Sequence, residues 1–384
     1  MSELYELPDG WEWIEFKKVF DNPSSKPYQI SKAEYMEIGK FPIIDQGKKF
    51  IIGYTDNKEK LYDNESNCII FGDHTREIKY INFNFVIGAD GTKIFKEKDI
   101  TKYDLKYLYF QLLSKNIESL GYSRHFKLIK KMSFSIPSLQ EQKRIVSKLD
   151  SLFEKIDKVI ALHQKNIDEA NVFMGSVLND VFVELEEKYN LKTIESFSKV
   201  GTGVTPLKSK TQYYKDGTKN WITSKATNSD FVYGCEQLVT KIAIDECKLK
   251  IYPIGSIIVA LYGQGKTRGQ VSELMIETAT NQAVATIVVD DNQVINRYLK
   301  YFLKKSYIDL RKKASGGIQP NLNLTIIKKI LLPIPSLKTQ QKTVTYLDFI
   351  SKELETLKQT QKEKMESLVA LKASILDQAF RGKL

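Results

Sequence analysis

The residues with the sharpest chemical promise are Gly263-Gln-Gly-Lys-Thr267, which follow an apolar run and have the composition of a phosphate-cradling loop. A Walker loop needs a further glycine five residues before the glycine of its Gly-Lys-Thr, and that place holds Ala260. Arg268-Gly-Gln-Val then breaks the chain where a helix should open, so no helix N-terminus is expected to receive an anion. Ile287-Val-Val-Asp290 imitates the metal-holding end of a strand, although strands ending in Asp are common. Adenine methylation would need a cofactor loop and an Asp/Asn-Pro-Pro-aromatic strip; Asn22-Pro-Ser-Ser lacks the second proline and the aromatic. A nuclease centre needs clustered carboxylates followed closely by a lysine, and no such set stands out. Cys68, Cys235 and Cys247 with His74, His125 and His163 are too few and too scattered for a zinc site or a disulfide framework. The expectation is a chain with no catalytic centre, no metal and no directly bound cofactor.

What the loops offer is binding chemistry. Tyr262, Gln264, Lys266, Thr267 and Arg268 join flexible backbone to side chains that bracket purine edges and phosphates. An earlier loop, also after an apolar run, repeats the theme with His74, Thr75 and Arg76. Further candidates are Gln46, Lys48, Tyr122 and Arg124, then Lys208, Tyr214, Ser224, Lys225, Asn281, Gln319 and Asn321. For each of these the competing reading is a solvated loop residue.

The elements that must position these loops announce themselves by repetition. Ile136-Pro-Ser-Leu139 recurs as Ile334-Pro-Ser-Leu337, and the same gapless offset pairs Gln142 with Gln340, Leu149-Asp150 with Leu347-Asp348, and Phe182 with Phe380. Each copy reads as one long helix. Pro137 and Pro335 hold the chain extended, and Ser138 with Glu141 forms a capping-box pattern that weakens to Ser336 with Thr339 in the second copy. Leu149, Leu152, Ile156, Ile160, His163 and Ile167 recur three or four apart, and Leu347, Ile350, Leu354, Leu357, Gln361, Leu368 and Leu371 recur three, four or seven apart. This is a coiled-coil seam, with two amphipathic helices in a globular core as the alternative. A helix of this length spans about 70 Å and acts as a ruler, and its partner must return antiparallel. His163 and Gln361, equivalent and central, are expected to share a polar layer; the alternative leaves His163 facing solvent.

Around these helices the chain divides into a domain over 1–135, a long helix over 136–187, a second domain over 188–332 and a second long helix over 333–384. Both domains read as short β-type runs punctuated by glycine, followed by one helix, over 104–120 in the first and 296–313 in the second. The fold class is therefore α+β: two strand-rich domains separated by two long antiparallel helices, a pseudo-twofold tandem duplication. A formal charge of +11 and a pI near 9.1 point to a polyanion partner such as double-stranded DNA. With 42% hydrophobic residues, no apolar run of spanning length and no signal-peptide pattern, the expected location is the cytoplasm, with no membrane partner.

At Leu7-Pro-Asp-Gly-Trp11, Gly201-x-x-x-Thr205-Pro206, Gly255-Ser-Ile-Ile-Val259, Asn281-Gln-Ala-Val284 and the two Ile-Pro-Ser-Leu helices, the chain resembles the specificity subunit of type I restriction-modification systems. The resemblance covers essentially the whole chain. It implies two target recognition domains that each read half of a bipartite DNA site, held apart by a helical spacer. It also implies two modification subunits supplying S-adenosylmethionine-dependent adenine N6 methylation, and restriction subunits using ATP and Mg. The first domain lacks the Gly-x-x-x-Thr-Pro and Asn-Gln-Ala elements, so the implied site is asymmetric. Outside the resemblance, a P-loop-like nucleotide hydrolase and a coiled-coil scaffold that binds protein remain as alternatives.

Overall fold

A computed structural model describes residues 5–64, 67–121, 123–263, 267–313 and 321–384. The chain forms two compact units, Met1–Gln164 with Lys362–Leu384, and Lys165–Gln361. Each contains one strand-rich domain, the start of one long helix and the end of the other.

In the first unit the elements run β1 (Glu12–Glu15), α1 (Phe16–Val19), β2 (Phe20–Asp21), β3 (Phe41–Ile44), β4 (Gly53–Thr55), β5 (Cys68–Gly72), β6 (Ile78–Ile81), β7 (Val86–Ile87), β8 (Thr92–Glu97), α2 (Leu105–Ser114), α3 (Phe126–Ile129) and β9 (Ser133–Ile136), leading into α4 (Leu139–Lys188). One antiparallel sheet has the order β2-β8-β5-β6, and a second has β4-β3-β7 with β3 and β7 parallel. The expected helix over 104–120 ends at Ser114.

The second unit runs from the end of α4 through β10 (Leu191–Thr193), α5 (Ile194–Phe197), β11 (Ser198–Thr202), β12 (Lys219–Ile222), β13 (Phe231–Val232), β14 (Gln237–Val239), α6 (Lys241–Glu246), β15 (Ile257–Ala260), β16 (Val271–Leu274), β17 (Ala279–Thr280), β18 (Val284–Val289), α7 (Asn296–Lys305), α8 (Tyr307–Lys313), α9 (Leu324–Lys328) and β19 (Leu331–Pro333) into α10 (Leu337–Phe380). Its sheets, β11-β18-β15-β16-β13 and β14-β12-β17, repeat the first unit's strand for strand, with β13 added beside β16. The central strands β5 and β15 are buried on both faces, which is why their sequences run apolar without alternation. In both units a short antiparallel pair, β1 with β9 and β10 with β19, closes the domain where the chain enters and leaves.

The repeated glutamines show what the duplication preserves. Gln142 is fully buried; its Oε1 accepts from the Asp104 amide at 2.8 Å, and its Nε2 donates to the carbonyls of Lys102 and Pro137 at 2.8 and 3.0 Å. Gln340 does the same with the Ile295 amide at 2.9 Å and the carbonyls of Gln293 and Pro335 at 2.9 and 3.0 Å. One side chain thus satisfies three backbone groups and ties each long helix to its own domain. Phe380 packs on Tyr107 in the first unit and Phe182 on Tyr298 in the second, both at 5.3 Å between ring centroids. Asp150 pairs with Lys106 at 2.7 Å, and Asp348 with Arg297 at 3.1 Å.

The long helices run antiparallel. Near the start of α4, Arg144 donates to the carbonyl of Leu384 at 2.8 Å; further along, Asp157 holds Lys372, further back, at 2.8 Å. Within the first unit Ile145, Leu149 and Ile156 bury against Leu376, Ala379 and Phe380, with Leu152 and Leu368 half-buried beside them. Within the second, Val177, Leu178 and Phe182 share a core with Val344 and Leu347, while Ile167 is buried and Ile350 and Leu354 are half-buried. Two expected seam positions are corrected: Leu357 and Leu371 are exposed, while the neighbouring Lys358 and Lys372 are half-buried. Lys372 lies 4.6 Å from the Phe153 ring centroid and keeps its ammonium on Asp157, so its aliphatic stem serves as seam surface. His163 is half-buried in the first unit; in the second, Gln361 Oε1 accepts from Asn166 Nδ2 at 3.4 Å. At the start of α4 only half of the capping box forms. Ser138 Oγ accepts from the Glu141 amide, but the Glu141 carboxylate turns to Arg144 at 2.7 and 2.8 Å, which holds it below the usual carboxylate range.

Candidate nucleic-acid interface

In the first unit the turn between β5 and β6 carries His74, Thr75 and Arg76, all exposed, with Arg76 in the left-handed region at φ +66°. Three other segments converge on this turn. Gln46 donates from Nε2 to the Asp90 carbonyl at 2.8 Å and accepts at Oε1 from the His74 amide at 3.1 Å, while Thr75 Oγ1 donates to the Gln46 carbonyl. Arg76 Nη1 donates to the Ile117 carbonyl at 2.9 Å, and Arg124 lies 3.6 Å from Asp90. Gly91 takes the left-handed region at φ +80°, which favours glycine here. Below the turn Lys79, almost fully buried, donates to the carbonyls of Asp45 and Lys49 at 2.9 and 2.6 Å; burial pushes its ammonium below the ordinary lysine range, and Asp45 opposes that. The result is a braced platform from which Lys48, His74 and Arg124 project into solvent.

Gln46 and Thr75, both candidates for DNA contact, hydrogen-bond to the neighbouring loops. They act as supports, and Arg76 divides its guanidinium between the Ile117 carbonyl and solvent. Around Phe126, Lys93 and Lys130 stand 5.6 and 4.7 Å from the ring centroid, a cationic edge that sequence reading overlooked. The only advance signal was the paired lysine at 130–131.

The second unit's equivalent turn joins β15 to β16 and carries Tyr262, Thr267 and Arg268. After the Gly-Lys-Thr the chain enters β16 and not a helix, so the helix N-terminus on which a nucleotide cradle depends does not follow it. Gln264 and Lys266, like Tyr122 and Gln319, lie outside the described residues. The turn is braced by α8: Arg311 Nη1 donates to the Arg268 carbonyl at 3.0 Å, and a Cβ on Gly269 would meet the Tyr307 ring at 3.4 Å. Nearby, the Asn281 amide donates to the Ile222 carbonyl and its Oδ1 accepts from the Ala283 amide at 3.1 Å, so Asn281 shapes a turn. Thr205 Oγ1 donates to Gln282 Oε1 at 2.6 Å, which ties the Thr-Pro and Asn-Gln elements together. A Cβ on Gly203 would fall on the Thr280 backbone, so glycine is required where these segments cross. The Tyr214 hydroxyl donates to the Pro206 carbonyl at 2.6 Å, and burial raises its pKa. Lys208, Lys225 and Asn321 are exposed, and Ser224 is half-buried. Cationic and amide side chains on rigid turns suit contacts to phosphates and base edges.

The comparisons agree with this reading. The family model described as type I restriction modification DNA specificity domain matches residues 8–171 and again 186–367. The specificity subunit of the Escherichia coli type I restriction enzyme EcoR124I/EcoR124II is 25% identical over 364 residues, covering 91% of this chain and 89% of that one. The MjaIX specificity subunit of Methanocaldococcus jannaschii is 30% identical over 190 residues, 48% of this chain and 43% of that one. A chain from a solved structure on complex assembly and conformational transition of the type I R-M system superposes with a TM-score of 0.72 at 18% identity, covering 99% and 100% of the two chains, a likeness of fold. Matched twice, over both repeats and most of the chain's length, this protein belongs to the type I restriction modification DNA specificity family.

Proposed function

We propose that this specificity subunit, not itself an enzyme, reads an asymmetric bipartite DNA site through two unlike loop sets and brings adenine N6 methylation to it by docking two modification subunits. S-adenosylmethionine then sits on the modification subunits, and ATP with Mg on the restriction subunits. The observation that carries the reading is a pair of equivalent β-turns on a repeated frame with different side chains: His74-Thr75-Arg76 between β5 and β6, Thr267-Arg268 between β15 and β16. Exposed lysines nearby supply phosphate affinity that falls steeply with salt.

Two features support a partner that binds twice. Outside the seam the helices expose apolar side chains, Leu162, Val172 and Phe173 on α4 and Tyr346, Phe349 and Val369 on α10. Surface of this kind marks protein contact. Each unit also has a cleft at the start of its long helix, about 340 Å³ beside Arg297, Gln341 and Val344 and about 290 Å³ beside Lys106, Lys143 and Val146, equivalent residues in both places. Among the described residues no helix is long and apolar enough to cross a membrane.

The test uses the chain with its modification subunits and a target found by mapping methylated adenines. Arg268→Ala should cost about 1–3 kcal/mol against one half-site, and Arg76→Ala a similar amount against the other, read as binding to duplexes with either half scrambled. Equal losses on random DNA would make both arginines phosphate contacts and sink the assignment of readers.

A further inference from the structure

We infer that His125 is a positioning residue for recognition of one half-site, and that it acts in the first unit alone. The inference rests on the reading of the first unit's loops as DNA-contacting. His125 is only 1% exposed, so both ring nitrogens must find their partners inside the unit. Its Nε2 accepts from the Leu120 amide at 2.9 Å, so that nitrogen carries no proton and Nδ1–H donates to the Asp73 carbonyl at 2.9 Å. Its own backbone amide donates to the same carbonyl at 2.8 Å, and the Asp73 carboxylate accepts from the Phe126 amide at 2.7 Å, serving as the cap that α3 otherwise lacks. Asp73 is equally buried, and its amide donates to the Gly91 carbonyl at 2.8 Å.

One ring therefore joins the 73–76 turn to the segment that ends in Arg124, and Asp73 extends the link to the 88–91 loop. These are the segments that present His74, Arg76 and Arg124. A neutral imidazole offers a donor and an acceptor across a rigid ring, and a shorter amide side chain reaches only one of the two groups. The lock is not part of the repeated frame. At the repeat offset the second unit has Asn323, which caps α9 through the Ile326 amide at 2.9 Å, and its turn is held by Arg311 and by the Leu322 amide on the Leu261 carbonyl at 3.1 Å. A feature that the frame does not require, placed between the projecting side chains of one unit, serves what that unit reads.

The experiment measures binding of the full complex to four duplexes: the mapped target, the target with either half scrambled, and random sequence. His125→Ala should shrink the preference for target over one half-scrambled duplex at least tenfold, leave the other preference unchanged and leave random-sequence affinity within twofold. His125→Asn, which keeps the Asp73 bond and loses the Leu120 acceptor, should give a smaller loss on the same half; it replaces the alanine variant if that one does not fold. Equal loss on both halves, or no loss on either, overturns the role of His125 while the loop reading stands. A wild-type complex indifferent to scrambling of one half would overturn the loop reading and this inference with it.

Discussion

Where the last sheet strand meets the domain helix, the two units fill the same space with opposite chemistry. In the first, Tyr80 on β6 and Tyr109 on α2 lie ring to ring at 5.6 Å, with Lys106 5.9 Å from the Tyr80 centroid. In the second, the equivalent residues are Glu273 on β16 and Lys300 on α7, paired at 3.3 Å, with Arg297 on the same carboxylate at 3.0 Å. The added strand β13 accompanies the change: Phe231 lies 3.5 Å from the Lys300 ammonium, and Lys304 pairs with the neighbouring Asp230. The buried hydrogen bonds of Gln142 and Gln340 hold in both units, so the frame is kept by satisfied backbone groups while packing beside it is free to change.

The comparison breaks most sharply at the ion pair. Lys300→Met should cost the second unit about 1–3 kcal/mol in denaturant unfolding, because the buried Glu273 carboxylate loses one of its two cationic partners and keeps Arg297 at 3.0 Å, whereas Glu273→Tyr with Lys300→Tyr, the first unit's solution, should recover most of that. Burial holds the Lys300 ammonium down to about 8 from 10.5, with Glu273 opposing, so its pKa is lower in the folded state. The unfolded chain then binds the extra proton, and stability should rise by about 2 kcal/mol from pH 8 to 10. Lys300→Met should lack that rise; an identical slope would show that the pair does not titrate.

A smaller effect sharpens what is shared. Gln340→Ala leaves the Ile295 amide and two carbonyls without partners and should weaken the second unit by about 2–3 kcal/mol, seen as faster hydrogen exchange there. Gln142→Ala should do the same to the first unit, and either change loosening both units alike would show that they do not unfold separately. Smallest of all, Thr339→Glu would restore to α10 the acid that α4 has at Glu141. With Lys342 three residues on, it should add about 0.3–0.5 kcal/mol to thermal stability.

The long helices were legible because their signal is local and repeated: a proline, a capping serine and apolar spacing over many turns. The seam drifted at Leu357 and Leu371 because spacing alone follows apolar letters, while at the second of these the structure sets Lys372 against Phe153 and Asp157 of the facing helix. Strand β16 was not legible in Val-Ser-Glu-Leu, which looks half-polar; Glu273 is buried there with Arg297 and Lys300 on its carboxylate. The pairs β1 with β9 and β10 with β19 join residues far apart in sequence and carry no periodic pattern. In the loops, residue type suggested binding for Gln46 and Tyr214, yet their polar atoms are consumed by neighbouring backbone.

Sequence by itself determined the duplication, the two long helices and the family, because helix starts, apolar periodicity and repeated motifs depend on neighbours along the chain. Tertiary structure alone decided which loop side chains remain available to a partner and which brace the loops that carry them. That choice depends on backbone groups brought together from distant segments, and such a group takes any donor or acceptor within reach.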